Sequence, residues 1–173
     1  KYKFVILHGF QSGAVRPRLA YAKQVLGKLG HEVIIPTLPN TDHPKEEEQV
    51  AAALAATDYD ENTVLCGHSL GAVVALKVLE KIDTPIARLV TVGGFVSRNF
   101  KDKPRNFDKT FTWEFDGEKI RSNVKSITIL HDPRDFAISD KQATELSNVL
   151  KVPITIGQST EPHFTGVKEP DVL

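Results

Sequence analysis

Residues 64–79 read VLCGHSLGAVVALKVL and contain the pattern Gly-His-Ser-Leu-Gly at positions 67–71. A short apolar run precedes Ser69 and a longer apolar run with helical spacing follows it, so the stretch predicts a strand, a tight turn and a helix. The two glycines suit such a turn because side chains there would crowd the backbone. Ser69 would then hold its hydroxyl just beyond a strand end, as a nucleophile requires. The alternative interpretation is a purely structural turn.

Strand-sized apolar runs alternate with helical patterns along the rest of the chain. Continuous apolar strands separated by helices indicate a parallel sheet that is covered on both faces. The predicted fold class is therefore α/β, a three-layer α/β/α sandwich with a mainly parallel six-stranded sheet, in a single domain over residues 1–173. The predicted strands are 4–7, 31–37, 63–67, 87–95, 126–131 and 152–157, and the predicted helices are 18–29, 44–56, 70–81 and 140–150.

Local signals refine this scheme at several element ends. Gly30 is a plausible stop for the first helix, and Pro44 suits the first turn of the second. Ser139 and Gln142 have the spacing of a capping box at the start of the last helix. Residues 97–123 break the alternation, because they form a long, charged and aromatic-rich segment. Such a segment predicts a lid-like excursion with its own local structure.

Composition restricts the classes of partner. The chain has 22 basic and 22 acidic residues, so the charge balance predicts neither a nucleic-acid nor a membrane partner. Its apolar runs are far shorter than a membrane helix requires. A single cysteine, Cys66, and the lack of a signal-peptide pattern favour a cytoplasmic protein. The histidines and Cys66 lack zinc-ligand spacing, so no metal or other cofactor is predicted.

His163 is the histidine best placed to activate Ser69. It follows the last predicted strand, in the sequence STEPHFTG at residues 159–166. An elbow of this type usually carries its catalytic residues in the order serine, acid, histidine, and His163 is the histidine that satisfies this order. His131, at the end of the fifth predicted strand, is the rival base.

Two aspartates compete for the role of the acid that orients this histidine. Asp132 and Asp135 both follow the fifth predicted strand, in ILHDPRDFAIS at residues 129–139. Asp132 precedes a proline and suits a turn in which its carboxylate accepts backbone hydrogen bonds. Asp135 lies further into the loop. The residues alone leave both aspartates as candidates.

Stabilisation of an oxyanion requires backbone N–H groups near Ser69. The N–H of Leu70 is free at a helix start, and the N–H of Phe10 follows Gly9 in the loop after the first strand. The aromatic residues of the excursion, Phe111 and Trp113 among them, are candidates for the wall of a substrate pocket. The alternative is that they only anchor the excursion to the core.

These residues together resemble the α/β-hydrolase superfamily. The resemblance extends to compact serine hydrolases of the retinoblastoma-binding-protein-9 type, and it implies the strand order 2-1-3-4-5-6. It also favours Asp135, with the apolar Ile138 nearby, as the triad acid, and His163 followed by Phe164 as the base. The stretches that carry it are ILHG (6–9), LCGHSLGA (65–72), the segment 111–139 and EPHF (161–164).

The sequence therefore predicts a serine hydrolase with Ser69, His163 and Asp135 as its triad. Its partner would be a small acyl compound, most simply a carboxylic ester; a thioesterase or an amidase would use the same groups. The second hypothesis is a binding or interaction protein, inactive or weakly active, on a hydrolase scaffold. A protein partner is compatible with the sequence but not indicated by it.

Overall fold

Six parallel strands form one sheet at the centre of the computed structural model, which describes residues 1–172. The sheet order is β2-β1-β3-β4-β5-β6, and every neighbouring pair is parallel. Both the predicted fold class and the predicted order are confirmed. The strands are β1 Lys3–Leu7, β2 Glu32–Ile34, β3 Thr63–His68, β4 Ile86–Val92, β5 Val124–His131 and β6 Ile154–Ile156.

Helices cover both faces of this sheet. Helix α1 packs on one face, where Leu19 and Ala22 meet Ile6 of β1. The larger core lies on the other face, and α3 is buried along all ten of its residues, of which all but Lys77 are apolar. The helices are α1 Pro17–Lys28, α2 Glu46–Ala55, α3 Leu70–Leu79, α4 Gly117–Ser122 and α5 Asp140–Leu150, followed by a short 3₁₀ turn, Pro162–Phe164.

Three of the predicted helix ends can be compared with the structure. Gly30 follows α1 with a φ of +88°, in the left-handed region where glycine is favoured, so it ends the helix as predicted. Ser139 and Gln142 form the predicted capping box at α5. The prediction for Pro44 is wrong, because α2 begins at Glu46. The carbonyl of Pro44 instead accepts a hydrogen bond from the hydroxyl of Thr110.

The segment 97–116 folds back onto the core before it enters α4. Phe107 and Phe111 are buried, and Trp113 packs against the same cluster. The buried ammonium of Lys77 on α3 donates to the carbonyl of Glu114 at 2.7 Å. This hydrogen bond also attaches the segment to α3. In residues 1–172, every helix is too short or too polar to cross a bilayer.

Candidate active site

Ser69 occupies a sharp turn between β3 and α3. Its φ of 57° and ψ of −121° lie in a region that side chains rarely adopt, and its N–H donates to the carbonyl of Val92 at 2.9 Å. A Cβ at Gly71 would lie only 2.2 Å from the carbonyl oxygen of Leu7, and one at Gly67 would also meet backbone within 3 Å. The turn therefore requires both glycines, and it places Ser69 at the carboxyl edge of the sheet.

His163 and Asp135 form a buried pair at the same edge. The Nδ1 atom of His163 lies 2.5 Å from Oδ2 of Asp135. The other carboxylate oxygen of Asp135 accepts the N–H groups of Ala137 and Ile138 at 2.8 and 3.0 Å. Burial raises the pKa of Asp135, but the bond to His163 and these N–H groups lower it more, so the net shift of its pKa is downward. Asp135 is therefore held as a carboxylate.

Asp132 has a different set of partners, which join two neighbouring loops. Its carboxylate accepts from the guanidinium of Arg134 and from the N–H and hydroxyl of Ser159, each contact being 2.7–2.8 Å at its shortest. These contacts, the bond to Arg134 first, hold the pKa of Asp132 well below its usual range. Asp132 thus fastens the loop after β5 to the loop after β6.

Residues far apart in the sequence hold His163 in place. The Nε2–H group of His68 donates to the carbonyl of His163 at 2.7 Å. Burial, with the charges of His163 and Arg18, lowers the pKa of His68 to about 3, so His68 is a neutral donor. Gly93, which has a φ of +58°, packs against the ring of His163: a Cβ there would lie 2.8 Å from Cε1.

A cavity of about 650 Å³ opens above Ser69 and His163. Within residues 1–172 no hydrogen bond joins the two side chains, although both line this cavity; such bonds are often long in unliganded enzymes. The other walls of the cavity come from the loop after β1, the segment 97–116 and the loop after β5. The aromatic side chains that line it are Phe10, Phe95, Phe100, Phe107 and Phe136.

The N–H groups of Phe10 and Leu70 have no hydrogen-bond acceptor among the described residues. Gly9 lets the loop after β1, which carries Phe10, approach the turn at Ser69 closely, because a Cβ at Gly9 would lie 3.1 Å from Cβ of Ser69. Leu70 is the first residue of α3, so its N–H lies outside the helical ladder. Two backbone donors therefore flank Ser69.

Phe111 and Trp113 do not line this cavity. Phe111 lies in the core, and the indole N–H of Trp113 donates to the carbonyl of Asp108. Both rings instead pack against Phe107, which does reach the cavity wall. The structure thus places the two predicted substrate-binding residues one layer behind the wall.

Two further histidines near the sheet edge, His131 and His8, have structural partners. His131 pairs with Asp140 at 2.9 Å and does not line the cavity. His8 accepts the N–H of Leu38 at 3.0 Å. No group of three or more His, Cys, Asp or Glu side chains in the described chain is arranged to hold a metal ion. The support of His163 by His68 and Gly93 was not predicted from the sequence. The pair Gly93-Gly94 at a strand end was the signal that could have indicated a close approach there.

A model of a known protein family matches most of this chain. A model described as the alpha/beta hydrolase family matches residues 4–146, which include Ser69 and Asp135 but end before His163. Among curated proteins, no sequence matches this chain.

Solved structures resemble this fold closely over nearly its whole length. The ydeN gene product of B. subtilis superposes with a TM-score of 0.82 at 21% identity, covering 95% of this chain and 88% of that one. An extracellular alpha/beta-hydrolase from a Paenibacillus species gives 0.71 at 18% identity, with 95% and 92% covered. The Pyrococcus furiosus esterase Pf2001 gives 0.68 at 15% identity, with 94% and 73% covered. At these identities the likeness concerns the fold alone.

Proposed function

Since this chain belongs to the alpha/beta hydrolase family, we propose that it is a serine hydrolase that cleaves a carboxylic ester or a related acyl compound. The observation that carries the proposal is the 2.5 Å contact between His163 and Asp135, on the wall of the cavity that Ser69 also lines. Three groups of this kind, brought to one place from three loops, match the requirements of nucleophilic catalysis.

The tautomer of His163 supports its role as the base. Asp135 is a carboxylate and accepts a hydrogen bond, so Nδ1 of His163 carries the proton and Nε2 of the neutral ring is an acceptor. In the first step Oγ of Ser69 attacks the acyl carbon while Nε2 takes the hydroxyl proton. Asp135 stabilises the imidazolium that forms, without accepting its proton.

The tetrahedral intermediate requires donors for its oxyanion. The N–H groups of Phe10 and Leu70 are the candidates, because they flank Ser69 and have no acceptor within residues 1–172. One such donor is typically worth about 3 kcal/mol of transition-state stabilisation. Collapse of the intermediate passes the proton from His163 to the leaving alcohol and leaves Ser69 acylated. Water, activated by the same histidine, then releases the acid.

The cavity supports a small-molecule substrate. Its volume of about 650 Å³ falls in the range of ordinary ligand pockets, and aromatic rings make up much of its wall. An ester is the simplest substrate, while a thioester or an amide would be attacked by the same groups. A cytoplasmic location stays a prediction that rests on the single cysteine and on the lack of a signal-peptide pattern.

Labelling with a fluorophosphonate, read by intact mass, tests the proposal. We expect one adduct on the wild-type protein and none on Ser69→Ala. Ser12→Ala is a matched control, because Ser12 lines the same cavity without a histidine partner, and we expect it to be labelled like the wild type. A folded wild-type protein that takes up no label would contradict the proposal and favour the scaffold hypothesis. Esters, thioesters and amides of one acyl group would then rank the substrate classes.

A further inference from the structure

Charge is distributed unevenly in the cavity above Ser69. Among the described residues that line it, four carry a cation and one carries an acid. Arg105 pairs with this acid, Asp102, at 2.8 Å, and Arg16 and Lys103 are exposed to water. The remaining cation is Arg18, which is partly buried in the first turn of α1.

Arg18 has no charge partner within residues 1–172. Its guanidinium makes one hydrogen bond, from Nη2 to the hydroxyl of Ser12 at 2.9 Å, and no carboxylate of the described chain lies within 4 Å. A guanidinium has five N–H donors, so most of its donors are unused. Its position does not stabilise the helix either, because a cation at a helix start opposes the dipole.

Two observations place Arg18 in the same cavity as Ser69 and close to His68. It lines the cavity together with Ser69 and His68, and it also lines a second, mainly apolar cavity of about 270 Å³, which His68 and Glu169 line as well. Its charge contributes to the lowered pKa of His68 and of His8, after burial, which is the main cause in both. A partly desolvated cation with free donors at this place costs free energy unless an anion joins it.

We propose that Arg18 binds a carboxylate of the substrate, so that the preferred substrates are acyl compounds that carry a carboxylate besides the scissile bond. This inference rests on the proposed function, because it assigns a substrate class to the same site. A planar guanidinium matches a carboxylate with two parallel hydrogen bonds. One partly buried cation balances the single charge of a carboxylate, whereas a phosphate monoester carries about −1.5 to −2.

Two pairs of esters test this, one for each side of the scissile bond. The first pair is mono-para-nitrophenyl adipate and para-nitrophenyl hexanoate; the second is para-carboxyphenyl hexanoate and phenyl hexanoate. For at least one pair, we expect the ratio of kcat/KM, charged over uncharged, to fall about tenfold in Arg18→Gln, mainly through KM. Arg18→Lys, which keeps the charge, should restore part of the ratio.

Arg88→Gln is the matched control, since Arg88 is exposed on β4 and lines neither cavity described above. It removes the same charge and should leave both ratios at their wild-type values. Equal ratios in Arg18→Gln and wild type for both pairs would overturn the proposal. Stronger competition by inorganic phosphate than by adipate would overturn the assignment to a carboxylate.

A binding measurement separates this inference from the proposed function. Calorimetric titration of the two charged esters into Ser69→Ala needs no turnover. At least one of them should bind about tenfold more weakly when Arg18→Gln is added. If the wild-type protein neither labels nor hydrolyses any ester, the proposed function fails while this titration still decides the role of Arg18. Equal affinities with and without Arg18 overturn the inference whatever the activity.

Discussion

The two halves of the candidate triad are built in different ways. Ser69 owes its geometry to five consecutive residues and to one close approach of β1, where a Cβ on Gly71 would touch the carbonyl of Leu7. His163 depends on partners that lie far away in the sequence, such as His68, 95 positions earlier. A local motif thus determines the position of the candidate nucleophile, whereas the candidate base is positioned only when the whole fold has formed.

The two halves are therefore expected to respond differently to substitution. The elbow leads directly into helix α3, which is buried along its whole length, so that a change there affects the core. The pair of His163 and Asp135 is held by hydrogen bonds between loops. A change in a hydrogen bond that His163 or Asp135 itself makes should therefore alter activity more than stability.

The largest effect is expected when the proposed triad acid, Asp135, is neutralised. Asp135→Asn removes the acceptor that fixes the tautomer of His163, and we expect kcat/KM for a para-nitrophenyl ester to fall about ten-thousandfold. Asp132→Asn is the matched control from the same loop and should keep activity within about fivefold, since Asp132 contacts Arg134 and Ser159 rather than the histidine. A larger loss in Asp132→Asn than in Asp135→Asn would reverse the assignment of the acid.

The second prediction concerns the elbow. Gly71→Ala places a methyl group 2.2 Å from a backbone oxygen, so we expect the free energy of unfolding to fall by about 3 kcal/mol or more. Gly27→Ala on α1, where no atom lies within 4 Å of the added Cβ, should raise it by about 0.5–1 kcal/mol. Urea unfolding of both variants measures the contrast. Equal stabilities would show that the elbow tolerates a side chain.

The third prediction is a dependence on pH. The pKa of Asp132 is lowered by folding, so its ionised form stabilises the protein above its unfolded pKa of about 3.9, and this contribution is lost as the pH falls towards the folded value. Asp132→Asn should therefore lower the free energy of unfolding by about 1–3 kcal/mol at pH 7.

At pH 3 the difference between Asp132→Asn and wild type should be smaller, and urea unfolding at the two pH values measures it. A difference that grows in acid would contradict the assigned sign.

The smallest effect is expected in the loop that carries His163. Glu169 is buried, and its carboxylate accepts the N–H of Thr160 at 2.6 Å and that of Glu161 at 3.2 Å. Glu169→Gln weakens these bonds, so we expect kcat/KM to fall by about threefold to tenfold because His163 is held less firmly. Glu161→Gln, an exposed neighbour, should have no effect. A loss of stability without a loss of activity would show that the loop does not position the base.

Much of the fold was predictable because its signals are local. All six strands were predicted, since each contains a short run rich in apolar and β-branched residues. The edge strands are shorter than predicted, three residues each, because an edge strand is paired on one side only. Helix α4 was missed, since six residues inside an irregular segment give too short a pattern to recognise.

The site was predictable to the extent that its residues directly follow strands that the sequence predicts. The choice between Asp132 and Asp135 depends on which carboxylate meets Ser159 and which meets His163, and both partners lie more than 20 positions away. The positions of Phe111 and Trp113 behind the cavity wall were equally hidden. An irregular backbone has no period from which one face can be told from the other.

The chain order of the candidate triad has a consequence for biosynthesis. Domains begin to form as the chain is made, from the N-terminal side. The elbow and its sheet neighbours are synthesised well before His163 and Glu169, so a nascent chain holds the serine without its base. Reactivity would begin only after the loop of His163 has left the ribosome and docked, which would keep unfinished chains from hydrolysing acyl compounds around them.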